Sequence, residues 1–354
     1  MSHSGMSIPI PDILEIGHGT MQTLSGHCVE NEFHKVGVLF DAFSKSFLEE
    51  KISSDLSEQG ISVTTVEMTG NEDIHVLISE AFRLDRFDCL IAAGGGAVID
   101  AGKYMAFSRR VPFISIPTSP SNDGFSSSNC SLMVDGKKTT VPAAIPYGVI
   151  ADLDIIEHAP LPMILAGTGD LMSNITAMHD WYYEERQGAA SVHAFAAMLS
   201  KKGVNSFIRT PMQDIRNTLF LKELISSMTM GGIATMISGN SSPISGSEHM
   251  ISHALDQTAE QPLIHGLQVG LATYLMALVH DYRYERMRKV FHRTGFFEHI
   301  KTLPLKRSEW ERAIDLAPEM KPKRRTYLHE AEHRRQAKLF LHSDKILNDC
   351  FSGR

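Results

Sequence analysis

Through roughly the first 150 residues, short apolar runs alternate with longer stretches whose apolar positions recur at helical spacing. The runs Lys35–Phe40, Ser62–Glu67, Asp88–Ala93 and Pro112–Ile116 are apolar or rich in β-branched residues and predict strands. Between them, Lys45–Gln59, Asn71–Leu84 and about Ala97–Ser108 have the period of helices. This βαβαβαβ order predicts a parallel sheet with helices on both faces, because parallel neighbours need crossover connections. Ser131–Val134 and Lys138–Val141, joined through Asp135-Gly136, read as a tight hairpin, and Gly148–Ala151 as one more strand.

From about Pro160 the pattern changes. Pro162–Arg186, Ala190–Lys201, Asp214–Ser238, Ser247–Gln257 and Leu263–Val279 follow one another with helical period and hardly any β-branched runs between them. The expected organisation is an α/β domain over residues 1–158 and an all-helical domain over 159–354, with the boundary near His158. Lys321–Arg335, dense in charges of both signs, reads as a solvated helical face.

Composition narrows the function classes. A formal net charge of -7 gives no basic footprint for nucleic acid. Val269–Val279 reaches only about half the length of a membrane span, and the N-terminus shows no secretory signal. Cys28, Cys89, Cys130 and Cys350 form no C-x-x-C pair, which fits reduced thiols in a cytoplasmic protein. With 17 histidines against 4 cysteines, any metal site is expected to use imidazole and carboxylate ligands.

Two loops carry candidate chemistry in the first half. Gly94-Gly95-Gly96 falls where a strand ends and a helix begins, a place where backbone N–H groups and the helix dipole attract a phosphate. The spacing is neither G-x-G-x-x-G nor a Walker pattern, so a tight structural turn explains it about as well. The loop that leaves the next strand, Ile116–Ser131, is rich in hydroxyls, carries Asp123 and exceeds about 12 residues, long for a structureless connection. In an open parallel sheet both loops overhang the carboxyl edge, where ligands bind.

In the second half, three segments gather potential metal ligands: Asp170 in AGTGDLMSN, His249 and His253 in SGSEHMISH, and His265 in LIHG. His249 and His253 are spaced to share one helix face. Met250 stands where a zincin would carry glutamate, which argues against a metalloprotease. Asp170 and His265 each adjoin a glycine at an expected helix end. One aspartate with two histidines gives an open oxygen and imidazole site, the catalytic form for a divalent ion. The competing reading is a chance pairing among many histidines, and spacing alone does not exclude it.

GGGAVIDAGK (Gly94–Lys103), ISIPTSPSNDG (Ile114–Gly124), AGTGDLMSNITAMHDW (Ala166–Trp181), SGSEHMISHALD (Ser245–Asp256) and HGLQVG (His265–Gly270) resemble, in order and separation, the motifs of the sn-glycerol-1-phosphate dehydrogenases. These belong to the superfamily of iron-containing alcohol dehydrogenases, glycerol dehydrogenases and dehydroquinate synthases. The resemblance runs from Glu15 to at least Gly270. It implies a Rossmann-like nucleotide domain and a helical domain, the dehydroquinate-synthase-like fold, with NAD or NADP beside one divalent metal, zinc foremost and nickel or iron compatible.

Carried over motif by motif, the resemblance implies that Asp170, His249 and His265 bind the metal. Asp123, Asp170 and His253 would meet a small-molecule substrate, with Asp170 and His253 in catalysis. Gly95, Gly96, Ala97, Val98, Ile99 and Asp100, with Thr118, Ser119, Pro120, Ser121 and Ser127, would hold the cofactor. Asp41, ending the first predicted strand, would sit by the adenosine ribose, where an acid favours NAD over a 2′-phosphate. The resemblance also implies a homo-oligomer.

The implied reaction is reversible, metal-dependent reduction of dihydroxyacetone phosphate to sn-glycerol 1-phosphate. HGLQVG departs from the family's common HGEQCG at Leu267 and Val269, and Asn129-Cys130 departs as well, which keeps another polyol or polyol phosphate open as the substrate. The remaining alternatives are a dehydroquinate-synthase-like lyase and a nucleotide-binding protein without metal.

Overall fold

The computed structural model describes residues 10–212 and 214–351. Its first half contains β1 (Ile13–Gly17), α1 (Leu24–Glu30), β2 (Lys35–Phe40), α2 (Ala42–Glu58), β3 (Ser62–Glu67), α3 (Ile74–Arg83), β4 (Cys89–Gly94), α4 (Gly96–Arg109), β5 (Phe113–Pro117), β6 (Asn129–Val134), β7 (Lys137–Pro142) and β8 (Gly148–Asp152). Six strands form one sheet in the order β1-β8-β5-β4-β2-β3, and each pairing is parallel. The interior strand β4 is buried along its whole length, as expected of a strand covered on both faces.

Two features here differ from the sequence expectation. β1 escapes a periodicity reading because it is a short edge strand with only Ile13 fully buried. α2 begins at Ala42, before the expected Lys45, because Asp41 and Ser44 form a capping box: the Asp41 carboxylate accepts from Ser44 N and the Ser44 hydroxyl accepts from Asp41 N. The hairpin turns as expected, with Asp135 and Gly136 at φ 50° and 75°, the left-handed pair of a type I′ turn.

The second half is helical: α5 (Leu153–Ile156), α6 (Leu161–Met172), α7 (Asn174–Arg186), α8 (Ala194–Arg209), α9 (Thr218–Ser238), α10 (Ser247–Thr258), α11 (His265–Val279), α12 (Tyr284–Arg293), α13 (Phe296–Ile300), α14 (Arg307–Met320), α15 (Ala331–Ser343) and α16 (Lys345–Phe351). The single helix expected over Pro162–Arg186 is broken at Ser173. There the backbone N–H bonds back to Asp170 O, and the hydroxyl donates to Asp170 O and Ile244 O.

The charged stretch Lys321–Arg335 is also not the solvated helical face that its composition predicts. Before α15 it is largely irregular, and Arg324 is tucked in: its guanidinium forks onto the buried Glu184 carboxylate at 2.5 to 3.2 Å and donates to Ser245 O at 2.6 Å. A planar fork matched to a carboxylate satisfies both charges out of water, which composition alone cannot reveal.

The chain forms two compact units. Among the described residues, one comprises 10–117, 124–152 and 232–240, and the other 118–123, 153–212, 214–231 and 241–351. The first holds the sheet and hairpin; the second is helical. Among the described residues no helix is long and apolar enough to cross a membrane. All four cysteines are buried free thiols.

Candidate metal and nucleotide sites

The second unit builds its polar centre by bringing helix backbones close together. A Cβ on Gly169 would lie 2.2 Å from Gly266 O and 2.9 Å from Gly270 Cα, and one on Gly266 would lie 2.2 Å from Ala166 O. Only glycine lets α6 and α11 approach this closely. The residues beside these glycines are Asp170 on α6 and His265 at the start of α11, so backbone contact carries the two side chains toward each other. α10 supplies His249 from a third direction.

Asp170 Oδ1 stands 3.4 Å from His249 Nε2 and 3.8 Å from His265 Nε2. One donor atom from each of the three residues lies within 4.8 Å of the other two. Donors held about 2.1 Å from a tetrahedral ion stand roughly 3.4 Å from one another, so this set fits a small divalent metal. Two imidazoles and a carboxylate also suit zinc, iron or nickel.

Burial alone would raise the Asp170 carboxyl. The hydrogen bond and charge of His249, with His265 and the Asp123 backbone N–H at 3.0 Å, hold it below its usual range instead. Burial would likewise lower His249, yet Asp170 and Glu248 on its two sides lift it to about 9.

His253, one turn along α10, has its ring 6.4 Å from that of His249 and 5.9 Å from that of His265, measured between centroids. The loop bearing Asp123 is seated on α6: a Cβ on Gly167 would fall 1.8 Å from Pro120 O. Asp170, His249, His265, His253 and Asp123 thus all belong to the second unit.

The expected nucleotide residues divide between the units. Thr118, Ser119, Pro120 and Ser121 group with the second, and Asp41, Gly95–Asp100 and Ser127 with the first. In the first unit, α4 starts after Gly95 with no side-chain cap on its N-terminus, which leaves the first turn suited to an anion. Asp41 Oδ2 accepts from Gly95 N at 3.2 Å and pins the turn to the start of α2. Val98 and Ile99 are buried at 2% and 1% exposure, so of the six turn residues Gly95, Gly96 and Ala97 are the ones that reach the surface.

Asp100 stands apart from its neighbours. It is buried, 3.1 Å from Lys103 Nζ, and accepts from Ser131 N at 2.9 Å. Lys103 in turn donates to Gly124 O and Ser127 O at 2.5 and 3.1 Å. Together this pair anchors the loop that carries Ser127, which the position of Asp100 within a glycine-turn motif does not disclose.

Sequence reasoning passed over the residues behind the candidate metal ligands. Glu248 is fully buried and its Oε1 lies 3.0 Å from His249 Nδ1. Ser252 Oγ lies 3.1 Å from His265 Nδ1 and accepts from Gln268 Nε2 at 3.0 Å. The available signal was the acid immediately before His249 in SGSEH. Leu267 and Val269, at 2% and 0% exposure, are buried in the helical unit, so the departure from the family pattern falls on packed side chains.

A parallel α/β unit with a glycine turn, together with a helical unit holding an Asp-His-His centre, defines a class of metal-dependent dehydrogenases. The family described as iron-containing alcohol dehydrogenase matches residues 15–160. Glycerol-1-phosphate dehydrogenase [NAD(P)+] of Thermococcus kodakarensis is 35% identical over 279 residues, 78% of this chain and 77% of its own. That of Methanosarcina acetivorans is 30% identical over 334 residues, 92% of both chains. The chain belongs to the glycerol-1-phosphate dehydrogenase family. Among solved structures, glycerol dehydrogenase from Schizosaccharomyces pombe superposes with a TM-score of 0.75 at 18% identity, covering 98% of this chain and 92% of that one. Sulfoacetaldehyde reductase from Bifidobacterium kashiwanohense superposes with a TM-score of 0.76 at 15% identity, covering 96% and 100%. At such identity these two structures speak for the fold.

Proposed function

We propose that this protein catalyses the NAD(P)-dependent, metal-dependent, reversible reduction of dihydroxyacetone phosphate to sn-glycerol 1-phosphate. The observation that carries the reading is the convergence of Asp170, His249 and His265 from three helices, in a chain whose relatives bear that activity by name. When bound, the divalent ion would supply Lewis-acid stabilisation of charge developing on the carbonyl oxygen, and the reduced nicotinamide the hydride.

The protein's own residues do the rest. Asp170, His249 and His265 hold the ion, with zinc the leading candidate. Asp170 also accepts the backbone N–H of Asp123, which fixes the substrate loop against the metal ligands. His253, beside His249 and His265, delivers the proton that turns alkoxide into alcohol, and takes it back in the reverse direction. Asp123 bonds a substrate hydroxyl. The first turn of α4 at Gly95, Gly96 and Ala97 takes the cofactor's pyrophosphate, with Thr118–Ser121 and Ser127 as further contacts. Asp41 favours NAD through the ribose hydroxyls.

The four buried free thiols fit the reducing cytoplasm as the place of reaction. A homo-oligomer rests on the family resemblance, and light scattering tests it. The decisive assay follows NADH and NADPH oxidation with dihydroxyacetone phosphate, dihydroxyacetone or glyceraldehyde 3-phosphate, with and without chelator. Chelator-sensitive turnover of dihydroxyacetone phosphate is expected. Turnover confined to another carbonyl would reassign the substrate, and no net oxidation with any of them would remove the reading.

A further inference from the structure

Helix α10 presents two parallel stripes. His249 and His253 form one; Glu248, Ser252 and Asp256, each a helical turn apart, form the other. We infer that this second stripe, completed by Gln268 of α11, holds the rings of both metal-binding histidines in place and sets which ring nitrogen His249 offers to the metal. The inference deepens the metal reading and rests on it.

The hydrogen bonds determine the roles. Both Glu248 oxygens accept from neighbouring donors, and the Nδ1 that Oε1 meets at 3.0 Å carries the hydrogen of that contact. The lone pair of His249 then sits on Nε2, the nitrogen that faces Asp170. Glu248 is itself held from two other sides: Gly246 N donates to Oε1 at 2.5 Å and Thr176 Oγ1 to Oε2 at 2.8 Å. A carboxylate so fixed leaves the imidazole one orientation.

His265 is held by a different device. The Gln268 amide oxygen accepts Leu263 N at 3.2 Å, which settles the amide's direction and turns Nε2 toward Ser252 Oγ and Asp256 Oδ1, at 3.0 and 2.9 Å. The Ser252 hydroxyl, held by Gln268, lies 3.1 Å from His265 Nδ1 and fixes the ring's position. His265 Nε2 is again the nitrogen toward Asp170. One ligand is thus backed directly by a carboxylate, and the other by a neutral hydroxyl tied through an amide to a carboxylate farther off. Both are positioning groups, since neither needs to touch substrate.

Outer groups of this kind change metal affinity by about 10- to 100-fold. The test measures zinc dissociation constants by chelator competition, and cobalt(II) ligand-field spectra, on wild type, Ser252→Ala, Glu248→Gln and, as a packing control, Ile300→Val. Ser252→Ala removes only a hydroxyl. Glu248→Gln keeps an oxygen for Gly246 and His249 while removing the charge, and thermal unfolding of each variant checks that it folds. The expected result is a roughly tenfold or greater loss of zinc affinity in each stripe variant, with altered cobalt spectra, while Ile300→Val lowers thermal stability and leaves affinity and spectrum unchanged. Affinities of both stripe variants within twofold of wild type, with unaltered spectra, would overturn the inference and leave the metal centre standing. A wild-type protein that takes up no divalent metal would overturn the metal reading itself.

Discussion

Asp170 stands in two sets of contacts at once: it faces both candidate imidazole ligands and accepts the backbone N–H of the Asp123 loop. Asp170→Asn keeps the shape but removes the charge that binds a cation. It is expected to lose stoichiometric metal and at least about a hundredfold in kcat/KM, since removal of a key electrostatic group costs roughly 2.7–4 kcal/mol. Metal analysis with steady-state kinetics checks this. A second residue-scale prediction concerns Asp180, buried beside His280 and accepting Ser247 N and Tyr327 N. Burial works to raise its carboxyl, but His280 and these N–H groups outweigh that and bring it down to about 2. Its folded pKa lies below its unfolded one, so its contribution is present above the unfolded value of 3.8 and is lost as pH falls through about 2. The amount is on the order of 2 kcal/mol. Asp180→Asn should flatten the acid limb of a stability-against-pH curve measured by denaturant unfolding. The identity of Asp170, His249 and His265 as candidates was legible in the sequence. The partners that make them a site were not, because a side chain's hydrogen bonds depend on groups far along the chain, such as Asp123 N, forty-seven positions from the Asp170 that accepts it.

At the scale of elements, the interface of α6 with α11 determines the centre. The Gly169 and Gly266 positions have no room for a methyl group: each Cβ would meet a backbone carbonyl at 2.2 Å. Gly266→Ala must therefore push the helices apart, at a cost of about 1–3 kcal/mol for overpacking, and it widens the separation between His265 and Asp170. Calorimetry should show the lowered Tm, and zinc competition a weaker site. Element boundaries were legible where local chemistry sets them. β2 and β3 lie where alternation and β-branching put them, and the Asp135-Gly136 turn adopts the backbone its residues favour. They were illegible where a distant group intervenes. The break between α6 and α7 depends on Ser173 donating to Ile244 O, a carbonyl seventy-one residues away in sequence. In the same way, the charged stretch after α14 reads as a solvated surface until Glu184 is placed against Arg324.

For the whole molecule, the proposed division of labour follows the two units. The proposed metal ligands lie in one, and the α4 turn with Asp41 lies in the other. Removing metal should accordingly abolish turnover while leaving NADH binding at the α4 turn, followed by its fluorescence, within a few-fold of the untreated protein. Readdition of zinc should restore the rate.

The sequence by itself determined the alternating α/β order of the first half, the helical texture of the second, and the glycine, aspartate and histidine motifs that mark the family. These depend on local periodicity and residue chemistry, which a linear chain displays. Only the tertiary structure decided that Asp100 and Lys103 anchor a loop from within, that glycines let two helices touch, and that Glu248 and Ser252 stand behind the histidines. Each of those depends on burial, which makes an unpaired polar group or an extra methyl costly, and burial is a property that residues acquire only from neighbours brought to them by the fold.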